Sequence, residues 1–284
     1  MKKLIITADD YGMCKSTNEA IDACLAAGTV HATCVMMNMP EFNDMTSLQS
    51  RFPWVSKGIH WTLTQGFPVL PAAQIPSLIG KNGEFHAKSQ FKRRWLTKQI
   101  RESEITAELR AQFQRFFDIA GVPAFWCTHQ DMHIFPGLFR TCVTLGVELG
   151  IPAMRSHRRV IVSRNYTPME YNIRHPAFWL KSRIVAQWSG WAERLGMCMP
   201  DGQIQLRGYN MSLPEVEHAL THMQWPTARD IVELTVHPAT VIDEKLFSAL
   251  RNSRLHEYEV FGSPALKEFL NSNEIELVGY DILN

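Results

Sequence analysis

Short apolar runs that end in polar residues alternate along the chain with stretches of helical period. Leu4 to Ala8 reads as a buried strand, and Ser16 to Ala27 as the helix after it, closed by Gly28 in the position favoured just past a helix end. Ala32 to Met37 and Trp54 to Ile59 are strand-like. Thr106 to Ala120 carries apolar residues at Leu109, Phe113, Phe116 and Phe117, a helical spacing stopped by Gly121 and Pro123. Strands are then expected at Phe125 to Thr128, Pro152 to Met154, Gln203 to Leu206, Ile231 to Val236 and Ile275 to Gly279. Helices are expected at about Gly137 to Leu149, Pro214 to Met223 and Pro264 to Asn271.

Strands alternating with helices predict parallel pairing through crossovers, because a parallel neighbour is reached only by a long connection. About seven or eight such strands point to an α/β fold, an irregular (β/α) TIM-like barrel in a single domain over residues 1–284. Two stretches break the rhythm. Residues 68–99, with three prolines and two glycines, read as a long loop over one face. Residues 158–202, rich in Trp and Arg, hold an amphipathic helix candidate at about Phe178 to Leu195.

Composition narrows the function classes. Lys and Arg number 29 against 28 Asp and Glu, so no strong overall field draws the chain to nucleic acid or to an anionic membrane. The apolar run Leu4 to Ile6 is too short for a signal peptide, and no later run approaches a membrane span, so a cytoplasmic location is expected. Six scattered cysteines without a CxxC pair read as reduced, mostly buried thiols.

In parallel α/β folds the loops at the carboxyl ends of the strands open onto one face. At those ends stand Asp9 and Asp10, His60, His129 to His133, Arg155 and His237. A divalent cation held by one carboxylate and two neutral imidazoles keeps open positions for water and substrate. His129 and His133 are four apart, which on a helical turn puts both on one face, and Asp131 between them could hydrogen-bond a ligating ring. Each signal has a plainer explanation. Asp9-Asp10 could cap the next helix, a single His60 is more often structural, and His237-Pro238 could simply end a strand. Their fall at the same end of successive strands is a coincidence that those explanations do not require.

At these residues the chain resembles the YdjC-like family of carbohydrate deacetylases, which includes chitooligosaccharide and hopanoid-biosynthesis-associated deacetylases. The matching pieces are ITADDYG near the N-terminus, GIHWTLT at 58–64, THQDMHIFP at 128–136, ELTVHPA at 233–239 and SPALKEFLNSNEIELVGY at the end. The resemblance implies a metal bound by Asp10, His60 and a histidine of the H-x-D-x-H motif, with His133 expected and His129 the alternative. It implies Asp9 as general base and His237 as general acid. Arg155, Trp61 and Asp131 are the candidate substrate contacts. Family members often carry a further histidine where this chain has Phe135, and Gln203 to Tyr209 fits the pattern only loosely.

The expected activity is hydrolysis of the N-acetyl group of an amino sugar or oligosaccharide, with Mg²⁺ or Zn²⁺ as cofactor, the sugar as partner and a homodimer as one open option. An iron(II) oxygenase uses the same two-histidine, one-carboxylate set. A non-catalytic sugar-binding protein would keep the fold without needing an acid at His237. A glycosidase would need two opposed carboxylates, whereas Asp9 and Asp10 are adjacent and expected to point apart.

Overall fold

The computed structural model describes residues 2–226, 229–242 and 251–283. Eight strands form one parallel sheet: β1 (Lys2–Tyr11), β2 (Ala32–Val35), β3 (Ser56–Trp61), β4 (Phe125–Thr128), β5 (Arg159–Ser163), β6 (Gly202–Arg207), β7 (Ile231–Val236) and β8 (Ile275–Leu277). They run in the order β4-β3-β2-β1-β7-β6-β5, with β8 also on β1. The ladder is not a closed ring. Between its ends, β4 and β5, stand two isolated parallel bridges, Trp126 with Met154 and Ala153 with Cys198. The expected strand at Pro152 to Met154 is reduced to these bridges, and β5 lies instead inside the stretch expected to be irregular.

The central strands, such as β1, β2 and β7, are largely apolar because they are covered on both faces. The helices around them are α1 (Lys15–Ala27), α2 (Met45–Arg51), α3 (Lys88–Leu96), α4 (Glu102–Ala120), α5 (Leu138–Glu148), α6 (Pro168–Arg174), α7 (Pro176–Arg194), α8 (Leu213–His222), α9 (Arg251–Phe261) and α10 (Pro264–Ser272). Among the described residues no helix is long and apolar enough to cross a membrane.

β1 organises the sheet. It pairs with β7 from Lys3 to Ala8 along one edge, and with β8 and then β2 along the other. Its pairing with β2 slips between Ala8 and Tyr11, a bulge that covers Asp9 and Asp10. Asp10 takes φ 71°, the left-handed region that a branched or bulky side chain avoids. The bulge turns both adjacent carboxylates toward the mouth, so they do not point apart as a regular two-residue period would require. Gly12 follows at φ 90°, and a Cβ there would lie 3.0 Å from the Phe42 Cα. Only glycine fits that turn.

The stretch 68–99 is less loose than its prolines suggest. It contains α3, and its approach from β3 is tied down by a stripe of α4 spaced four residues apart. Gln112 donates to the Thr62 carbonyl at 2.7 Å and accepts from its N–H at 3.0 Å. Glu108 accepts from the N–H groups of Val69 and Leu70 at 2.9 and 3.0 Å, and Glu104 from that of Ser77 at 2.7 Å. Backbone groups that no strand satisfies are satisfied by side chains here.

Candidate metal centre

The carboxyl ends of β1, β3 and β4 bring three donor atoms together. Asp10 Oδ1 lies 3.3 Å from His60 Nε2 and 3.0 Å from His129 Nδ1. All three residues are buried, and their donor atoms lie within 4.8 Å of one another. Arg254 of α9 holds the other oxygen, Asp10 Oδ2, at 2.5 Å, which leaves Oδ1 to the imidazoles. Burial raises the Asp10 carboxyl, but the Arg254 guanidinium outweighs it and holds it well below the usual carboxylate range.

The rings are fixed by their other nitrogens. His129 Nε2 faces Gln65 Oε1 at 2.9 Å and Nδ1 faces Asp10 Oδ1 at 3.0 Å; with the hydrogen on Nε2, the Nδ1 lone pair is aimed at Asp10. His60 Nδ1 faces two sulfurs, Cys127 at 2.9 Å and Cys34 at 3.1 Å. Two imidazole lone pairs and a carboxylate oxygen that converge repel one another unless a proton or a cation lies between them. One oxygen and two nitrogens within 4.8 Å of one another are a donor set that fits a divalent cation.

His133, expected as the third ligand, is not in this cluster. Gln130 and Asp131 adopt left-handed backbone angles, φ 58° and 54°, so the turn after β4 is not helical and the two histidines do not share a face. His129 turns to Asp10. His133 turns inward, with Nδ1 2.6 Å from Thr128 Oγ1 and Nε2 on His157 Nε2.

Asp9 stands beside this cluster. Arg155 grips it with both terminal nitrogens at 2.7 and 2.6 Å and reaches Glu233 through Nε at 3.1 Å. Burial raises the Asp9 carboxyl, but the Arg155 guanidinium outweighs it and keeps it below its ordinary value. His237 Nε2 lies 3.7 Å from Asp9 Oδ2, and its Nδ1 lies 4.0 Å from Glu257 Oε2, whose carboxylate also accepts from the His237 N–H. With a side chain 24% exposed, His237 reaches the open mouth.

Two expected substrate contacts are placed elsewhere. Arg155 is buried beneath Asp9, and Trp61 is 1% exposed and packed against Trp126, so neither offers a face to a sugar. Asp131, partly exposed, lies 3.6 Å from Arg159 and does not touch a ring of the cluster. Glu233, four residues before His237, serves Arg155, and the carboxylate beside His237 Nδ1 is that of Glu257. Sequence reasoning also missed Cys34, Cys127, Gln65 and Arg254. Cys127 had one usable signal, since it pairs in register with His60 across β3 and β4.

Known proteins resemble this chain in sequence. A carbohydrate deacetylase of Danio rerio is 32% identical over 154 residues, which cover 54% of this chain and 49% of that one. A chitooligosaccharide deacetylase of Yersinia pestis bv. Antiqua (strain Angola) is 27% identical over 272 residues, 94% of this chain and 93% of that one. Among solved structures, a protein of Enterococcus faecalis V583 named for cellobiose-phosphate cleavage superposes with a TM-score of 0.75 at 23% identity, covering 99% of this chain and 98% of that one. The family model described as YdjC-like protein matches residues 3–272, and the chain therefore belongs to the YdjC-like family.

Proposed function

We propose that this protein is a divalent-metal-dependent hydrolase that removes the acetyl group from an N-acetylated amino sugar or oligosaccharide. The observation that carries this reading is the convergence of Asp10 Oδ1, His60 Nε2 and His129 Nδ1 beside a second, independently held carboxylate and a partly exposed histidine. The names of the full-length relatives, chitooligosaccharide deacetylases, support the substrate class.

An amide needs an activated water, a stabilised oxyanion and a proton for the departing amine. Asp10, His60 and His129 would hold Mg²⁺ or Zn²⁺, and the bound cation would supply Lewis acidity, lowering the pKa of water toward roughly 7 and polarising the carbonyl. Asp9 accepts the proton of the attacking water. Its pairing with Arg155 keeps it ionised at neutral pH and aims its carboxylate, and the same pairing makes it a weak base that needs an acidified water. His237 delivers a proton to the sugar nitrogen. Asp9 and Glu257 flank its ring, at 3.7 Å from Nε2 and 4.0 Å from Nδ1.

The test is acetate release from a panel of N-acetylated sugars, with metal analysis of the purified protein. Acetate formation that stops on chelation and returns with one of the two cations is expected. Absence of acetate from every sugar in the metal-loaded protein, with dioxygen consumed when iron(II) is supplied, would replace this reading with that of an oxygenase.

A further inference from the structure

Beneath the candidate metal centre lies a pair of buried thiols that the proposed chemistry does not use. Cys34 lies in β2 and Cys127 in β4, on either side of β3, and both are fully buried. Their sulfurs meet at one atom, His60 Nδ1, at 3.1 and 2.9 Å. Cys34 Sγ also lies 3.0 Å from Asp9 Oδ1, and Cys127 Sγ lies 3.9 Å from the Ile59 carbonyl.

The hydrogen positions follow from this geometry. Asp9 is an ionised acceptor and the Ile59 carbonyl can only accept, so each S–H points to its own oxygen. With the S–H groups so directed, the sulfur lone pairs face His60 Nδ1 and can accept its N–H. We infer that Cys127, assisted by Cys34, is a positioning residue that holds His60 in the Nδ1–H tautomer and keeps its Nε2 lone pair aimed at the cation beside Asp10. This rests on the metal reading above and adds to it a thiol in the place where a carboxylate or carbonyl usually fixes a ligating imidazole. Because Cys34 also bonds Asp9, the pair mechanically ties the proposed base to the proposed ligand.

The four donors Asp9, Cys34, His60 and Cys127 lie close enough to suggest a second cation instead. Arg155 speaks against it. Its guanidinium already neutralises Asp9 through two hydrogen bonds, and a cation among these donors would face that charge in a buried site.

The test uses Co²⁺ as the probe, titrated into metal-free full-length protein and followed by calorimetry and by its visible d–d absorption. Cys127→Ala removes the acceptor, and Cys127→Ser keeps one in the same place. Removal of such an outer partner typically costs 10- to 100-fold in metal affinity. Cys127→Ala is therefore expected to raise the Co²⁺ Kd by at least about tenfold and to alter the absorption band, with Cys127→Ser restoring most of both. The metal-free melting temperature separates a packing effect from a positioning effect. If Cys127→Ala fails to fold, Cys34→Ala is expected to show a smaller loss of the same kind. Wild-type affinity and spectrum in both alanine variants would overturn this inference alone. A wild type that binds no Co²⁺, Mg²⁺ or Zn²⁺ would overturn the metal reading and this inference with it.

Discussion

Arg155 holds Asp9 with both terminal nitrogens, at 2.6 and 2.7 Å, in a site where each side chain is about 3% exposed. A buried pair of this kind matters most when one partner is removed. Arg155→Ala strands Asp9 and Glu233 without a counter-charge and is expected to destabilise the protein by about 3 to 5 kcal/mol. Arg155→Lys should recover only part, because one ammonium cannot serve both carboxylates with the fork that guanidinium provides. Urea unfolding of the two variants checks this, and a loss under about 1 kcal/mol in Arg155→Ala would show that the pair is not buried as described.

The two histidines after β4 should separate cleanly in metal binding. His129→Ala should weaken the bound cation by more than about a hundredfold, beyond the 10- to 100-fold range of outer partners, whereas His133→Gln should leave the Kd within about threefold. Calorimetric titration with Mg²⁺ and Zn²⁺ decides, and the reverse pattern would restore His133 as the ligand.

Asp9→Asn should retain the cation and lose turnover by at least about a hundredfold, the usual scale for a general base. Metal content measured alongside acetate release tells the two roles apart. Loss of the metal with unchanged activity per bound ion would exchange the parts given to Asp9 and Asp10.

A proton donor to the leaving amine matters far less when the leaving group departs unaided. His237→Ala should therefore slow hydrolysis of an N-acetyl sugar much more than that of an aryl acetate. Equal losses on both substrates would reject His237 as the acid.

Burial holds His133 neutral. Asp131 works against this, but Arg155 and Arg159 reinforce it, and the pKa falls to about 3. The unfolded chain takes up this proton near pH 6.5. The folded state therefore binds fewer protons, and its stability is fully present above about pH 6.5 and declines as the pH falls toward 3, by up to ~1.4 kcal/mol per pH unit. Urea midpoints between pH 7 and 4.5 should decline more gently in His133→Gln than in the wild type. Parallel declines would mean that the imidazole is not buried neutral.

The strand ends were legible because buried parallel strands are apolar runs and the chemistry follows them directly, as at Asp10, His60 and His237. β5 was not, because Arg159 to Ser163 is only partly buried at the open end of the ladder and sits among arginines and tryptophans that mask it. The choice between His129 and His133 depended on a helical period that Gln130 and Asp131 break, and neither residue type announces a left-handed turn. Cys34 and Cys127 look like ordinary core thiols until strand register puts them against His60. Arg254 reaches Asp10 from 244 residues away, a relationship created only by the return of α9 to the mouth.

The stripe of Glu104, Glu108 and Gln112 on α4 grips the segment from Thr62 to Ser77 by its main chain alone. Support of that kind is indifferent to the side chains the segment carries. Its exposed residues are thus free to drift in evolution, or in a mutant library, without disturbing the scaffold beneath them. Changes there can accumulate one substitution at a time, while three residues on a neighbouring helix keep the segment's course unchanged.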